Sequence, residues 1–163
     1  MNTITTEKGT NKLDLRLWRG PFYYQLIENL KETIRSMYYE SHVDLYMSEK
    51  GYVDHTWDQM MAAALGQGEF WVEFQEGKVA GWLLGAYSKE FDNEPTYVIK
   101  QAWVDPLLRR TPRVKEMLAQ ILMNAKSNFA KHVLIVSSRN TKAYLRWLGK
   151  GWVPVTTIIK GEL

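Results

Sequence analysis

Leu13, Leu15 and Leu17 alternate with Asp14 and Arg16, the pattern of a half-buried strand, and Gly20-Pro21 ends that run. From Phe22 onward, Leu26, Ile27, Leu30, Ile34, Met37 and Tyr38 recur at three- and four-residue steps, which predicts an amphipathic helix ending near Ser41. Residues 43–55 hold no clean period. Thr56 then offers an N-cap to WDQMMAAAL, which Gly66 and Gly68 close, predicting a short second helix. Phe70, Val72 and Phe74 alternate with Trp71, Glu73 and Gln75, and Glu76-Gly77 turns the chain into KVAGWLLGAYS, predicting a hairpin.

After FDNEP the run TYVIKQAWV is nearly continuous in apolar residues, as in a central strand buried on both faces. Thr111-Pro112 opens a helix with Val114, Met117, Leu118, Ile121, Leu122, Ala125 and Phe129 on one face. HVLIVSS reads as a short strand, NTKAYLRWL as a short helix capped by Asn140, and WVPVTTIIKGEL as a final strand region. The order β-α-α-β-β-β-α-β-α-β predicts a layered α/β fold with a mixed sheet. Residues 1–12 are polar and read as a flexible tail, leaving residues 13–163 as a single domain.

With 163 residues, 45% of them hydrophobic, the chain can build one core and needs no second domain. It has no cysteine, which excludes disulfides, thiolate metal sites and cysteine nucleophiles and fits a reducing compartment, so a cytoplasmic location is expected. No apolar run approaches the roughly 18 to 20 residues that span a bilayer, and no membrane partner is expected. The net charge of +3 is unevenly divided: residues 1–99 carry 9 Lys and Arg against 15 Asp and Glu, residues 100–163 carry 12 against 3. The positive field therefore falls on the last third.

That third also holds the segment richest in chemistry. TYVIKQAWV runs through Asp105-Pro106 into LLRRTPR, which sets Arg109, Arg110 and Arg113 at a helix start. Unpaired N–H groups and the helix dipole favour an anion there, so a phosphate-bearing ligand is expected. His42, His55 and His132 are scattered, and no three or four ligands fall at metal-binding spacing, so no metal is expected. Gly81 and Gly85 lie inside a strand, where they indicate a bulge or close backbone approach rather than a nucleotide fingerprint.

The element order and two local motifs resemble the GNAT superfamily of acyl-CoA-dependent N-acyltransferases over about residues 13–163. Val104-Asp105-Pro106 with Arg109 is similar to the family's V-x-P-x-x-R at the end of its central strand. Asn140, Ala143, Trp147 and Gly151-Trp152 are similar to its N-x-x-A…Y…G-F segment. The resemblance implies a mixed, mostly antiparallel central sheet with helices on both faces. It also implies acetyl-CoA or another acyl-CoA as donor and a small-molecule or protein amine as acceptor. By the same resemblance Ala102, Trp103 and Val104 face the pantetheine arm, and Arg109, Arg110, Thr111, Arg113 and Val114 face the pyrophosphate. Asn140 and Tyr144 lie along the pantetheine and thioester.

The chain departs from the family in two places. Pro112 and Val114 stand where the family's phosphate turn has small residues, so one N–H donor is missing and a branched side chain sits where backbone approaches phosphate. Trp147 stands where many members have a tyrosine that protonates the thiolate, and Tyr144, one turn earlier, takes that role in the expected site. Glu73 is the expected general base by position, with Glu90, Asp92 and Glu94 as alternatives. Trp18, Tyr23, Tyr24, Tyr38, Tyr39, Tyr46, Tyr52 and Trp57 crowd the third in which the family builds its acceptor wall.

NTKAYLRWL also resembles N-T-x-x-x-[IL]-R-[FW]-L in GNAT-like proteins of tailed phages. This keeps a second class open: a non-catalytic virion, nucleic-acid-binding or protein-binding chain, or a phage DNA-modification enzyme, located in a host cytoplasm or a virion. Aromatic surface and a terminal strand without a partner point to a homodimer.

Overall fold

The structure, a computed structural model, describes residues 12–40, 47–89 and 93–136. The hairpin expected at Glu76-Gly77 forms, with φ of 50° and 75° at the two turn residues, the left-handed pair that suits right-twisted strands. It joins β2 (Glu69–Gln75) to β3 (Lys78–Ser88). β1 (Asp14–Trp18) pairs antiparallel with β2, and β4 (Thr96–Val104) antiparallel with β3. β5 (His132–Ile135) lies parallel to β4 at the other side, completing a sheet in the order β1-β2-β3-β4-β5.

The helices cover both faces. α1 (Tyr24–Glu40) and α2 (Glu49–Ala62) bury Leu26, Leu30, Ile34 and Met60 against Phe70, Val72, Trp82 and Leu84 of the sheet. α3 (Pro112–Ser127) buries Met117, Ile121 and Ala125 against Trp71, Leu83, Tyr97 and Ile99 on the opposite face. Each such large side chain contributes about 1.5–3 kcal/mol by leaving water. At the centre of the first layer the Trp82 indole N–H donates to Thr33 Oγ1 at 2.8 Å, and Thr33 donates to the Leu30 carbonyl at 2.7 Å, so the buried polar atoms satisfy one another.

Three expectations need correction. α2 starts seven residues before Thr56: Ser48 is the N-cap, accepting from the Gly51 N–H at 3.1 Å, and Thr56 is buried mid-helix. Gly51 and β-branched Val53 weaken the local helix signal, and packing against α1 overrides them. A five-residue π turn (Ala63–Gln67) then carries the end of α2 to Gly66, at φ 101°. Phe129 does not extend the apolar face of α3. The helix stops at Ser127, Phe129 turns left-handed at φ 68° and stands 83% exposed. Finally, β4 is not buried throughout: residues 96–99 are, but Lys100 and Ala102 are exposed. The expected helix from Asn140 and the final strand lie outside the described residues.

The exposure of Lys100 has a geometric cause. The register between β3 and β4 passes from Leu84↔Gln101 to Gly85↔Ile99, so Lys100 is an extra residue in a β-bulge. One extra residue inverts the alternation of side chains. Tyr97 and Ile99 therefore face α3, whereas Trp103 faces α1 and α2. The expectation that Gly85 serves a bulge or close approach holds on both counts, because a Cβ there would overlap the Tyr97 hydroxyl.

Candidate functional site

The second half of β4 is where the sheet opens. β5 accompanies β4 only along residues 96–99, its last rung being the Val136 N–H to the Ile99 carbonyl at 3.0 Å. Among the described residues, the strand pairing of 100–104 is with β3 alone, so the other backbone edge beside Ala102 and Trp103 is free of a partner strand, and the Val104 carbonyl at its end accepts from the Arg109 side chain. An edge of N–H and C=O groups inside a covered sheet is a template for an extended amide-bearing ligand.

That edge leads directly to a helix N-terminus. The Asp105 N–H donates to the Ala80 carbonyl at 2.9 Å, which holds the exit of β4 on β3. The Asp105 carboxylate accepts from the Leu107 N–H at 2.9 Å and starts a single 3-10 turn, Pro106–Leu108. Thr111 occupies the N-cap position of α3, yet its hydroxyl donates back to the Leu108 carbonyl at 2.7 Å, and among the described residues no side chain caps the helix. The positive end of the α3 dipole is thus left open beside the end of β4. Val114 turns its branched side chain inward, 9% exposed, which removes it from the approach to the helix end.

The three arginines divide. Arg109 donates from Nε to the Val104 carbonyl at 2.9 Å and from Nη2 to Glu40 Oε2 at 2.6 Å. Arg110 is exposed and makes no ion pair among the described residues. Arg113 folds inward to Glu73, whose side chain is only 1% exposed. Burial raises the Glu73 carboxyl above the usual range, and the neighbouring guanidinium partly opposes this.

Glu73, the expected general base, consequently does not reach the open edge. It projects from β2 toward α3 and is held there by Arg113. Glu94, an alternative base, pairs with His132 at 2.7 Å and Lys131 at 3.5 Å before the start of β4. At about 3.3 Å per strand residue that is roughly 25 Å from Val104. Glu90, Asp92, Asn140, Tyr144 and Trp147 lie outside the described residues.

Polar atoms that sequence reasoning passed over gather on the α1–α2 side of the same half-strand. Gln101 Nε2 donates to the Tyr52 hydroxyl at 3.4 Å, while Gln101 Oε1 and the Trp103 indole N–H are buried without a partner among the described residues. Buried orphans of this kind are satisfied by water or ligand. The available signal was Gln101 itself, a neutral polar residue inside an apolar run. Of the N-terminal aromatics, Tyr38 and Tyr52 are buried and Trp18 and Trp57 pack at the rim of the core, while Tyr23, Tyr24 and Tyr39 are exposed. Among the described residues no three metal-ligating side chains cluster, and no helix is long and apolar enough to cross a membrane.

No family model and no curated protein sequence matches the chain. Solved structures do. A candidate acetyl transferase from Pyrococcus furiosus superposes with a TM-score of 0.69 at 18% identity, over 91% of this chain and 99% of that one. The aminoglycoside acetyltransferase meta-AAC0020 from an uncultured soil sample, in complex with sisomicin, gives 0.63 at 12% identity, over 92% and 97%. Aminoglycoside N-acetyltransferase AAC(6')-Iy, in complex with CoA, gives 0.61 at 12% identity, over 93% and 94%. The chain has the GNAT fold, with its mixed, mostly antiparallel sheet between layers of helices.

Proposed function

We propose that the chain is an acyl-CoA-dependent N-acyltransferase that moves an acetyl group to an amine. One observation carries the reading: among the described residues, the edge of 100–104 that no strand pairs with runs straight into an N-terminus of α3 that no side chain caps. A strand edge fits the amides of a pantetheine arm, and an open helix end with Arg109 and Arg110 beside it fits a pyrophosphate. The residues present therefore suit CoA, with one donor fewer than a non-proline turn supplies, because Pro112 has no N–H.

When bound, acyl-CoA supplies an activated thioester. The protein's share is proximity, polarisation and exclusion of water, which together supply most of the acceleration in such transfers. Ala102, Trp103 and Val104 align the donor through their backbone. Gln101 and Trp103 offer an acceptor and a donor, unused among the described residues, on the face where α1 and α2 would receive the amine. Asn140 and Tyr144 are assigned to the thioester by the resemblance alone. A nucleic-acid surface draws less support, because Arg113 is folded inward onto Glu73 and only Arg109 and Arg110 of the turn face outward.

Calorimetry with acetyl-CoA and with CoA tests the reading. Micromolar binding of both is expected, and no detectable heat at millimolar ligand would sink it.

A further inference from the structure

We infer that Glu40, at the far end of α1, is a positioning residue for the phosphates of the acyl donor; the inference rests on the acyl-CoA reading above. Glu40 ends α1, where the negative pole of the helix dipole disfavours a carboxylate, and the last turn of α1 contains no basic residue to offset it. Its counter-charge comes from elsewhere in the fold, from Arg109 at 2.6 Å across 69 positions of sequence.

The geometry of that contact is what assigns the role. A guanidinium has a side edge, Nε with the adjacent Nη2, and an end edge, Nη1 with the other hydrogen of Nη2. The Val104 carbonyl takes the Nε hydrogen and Glu40 Oε2 one hydrogen of Nη2. Nη1 has no partner among the described residues, so the Nη1 side of the guanidinium is left open. Two acceptors fix the plane of a side chain that otherwise carries large rotamer freedom, and the open Nη1 side is matched to phosphate oxygens. The pair is about a third exposed on each side, 36% for Arg109 and 26% for Glu40, so solvent reaches the guanidinium while partial burial limits screening of the contact.

Glu40 thus acts through Arg109 and touches no ligand. Its carboxylate reads as an acceptor in a fixed place rather than as a charge, and the carboxamide of glutamine keeps such an acceptor. Lysine in place of Arg109 keeps a positive charge but has no planar fork to orient.

CoA calorimetry on four proteins, with a melting curve for each, tests the role. Glu40→Ala should weaken CoA binding about 10-fold, the scale of one disordered charge-assisted contact. Glu40→Gln should stay within about 3-fold of wild type, and Arg109→Lys should bind no better than Glu40→Ala. Wild-type affinity in Glu40→Ala or in Arg109→Lys overturns the inference, as does Glu40→Gln binding as weakly as Glu40→Ala. In each of those cases the acyl-CoA reading stands. A wild type that binds no CoA removes that reading and this inference with it.

Discussion

Arg113, in the first turn of α3, is held from below by Glu73 of β2, with side chains 11% and 1% exposed. The contact ties the helix that presents its N-terminus to the centre of the sheet. Removing one member of such a buried pair strands the other, at a cost of about 3–5 kcal/mol. Glu73→Ala should lose stability on that scale in urea denaturation, and Glu73→Leu with Arg113→Met should recover most of it.

Burial raises the Glu73 carboxyl, so between the usual carboxylate range and its raised value the folded chain holds a proton that the unfolded chain releases. The contribution of Glu73 is therefore present below the usual range and is lost as pH rises through the raised value. Wild-type stability minus that of Glu73→Gln, followed from about pH 4 to 7, should fall with rising pH. A flat or rising difference contradicts the direction of the shift.

Gly85 and Tyr97 meet at the bulge with no room between them. Gly85→Ala should cost about 1–3 kcal/mol through overpacking. The Tyr97 hydroxyl is buried beside Glu69 and Trp71, and burial together with the Glu69 carboxylate raises its pKa. Tyr97→Phe removes the hydroxyl but keeps the ring carbon Cζ against the added Cβ, so it should relieve only part of the Gly85→Ala penalty, a coupling that a double-mutant cycle measures.

Thr33→Val keeps the shape of its site and leaves the Trp82 indole N–H buried without an acceptor. A loss of about 1–3 kcal/mol is expected, against under about 1 kcal/mol for Thr33→Ser, which keeps the oxygen. Thermal melts of the two variants separate polar satisfaction from packing at this point.

Pro112→Ala restores an N–H at the first position of α3. If that position faces phosphate, CoA binding should tighten by up to about 10-fold. Stability should drop by about 0.4–1 kcal/mol as the pre-set φ of proline is lost. Unchanged calorimetry would show that this N–H points away from the ligand.

Much of the architecture was legible from periodicity. β1, α1, the β2–β3 hairpin and α3 stand near their expected places because each carries its own amphipathic pattern or turn residues. The start of α2 was hidden, since a stretch with Gly51 inside it owes its helicity to contacts made across the fold. The candidate site was legible as a place, from the charge and the proline at the end of β4, but not as a set of contacts. Nothing local to Glu73, Arg113, Glu40 or Arg109 announces partners 40 and 69 residues away. Gln101 faces α2 only because Lys100 inserts before it, and a bulge leaves no mark in an apolar run.

That insertion also divides β4 mechanically. Residues 96–99 are clamped between β3 and β5, while Gln101 and Trp103 lean on the α1–α2 layer and, among the described residues, no strand claims the other edge of 101–104. Because Lys100 decouples the two alternations, the two halves of β4 turn their large side chains to opposite layers: Tyr97 and Ile99 to α3, Trp103 to α1 and α2. The half that would receive a ligand is thus built against one layer of helices, and the half that holds the sheet together against the other.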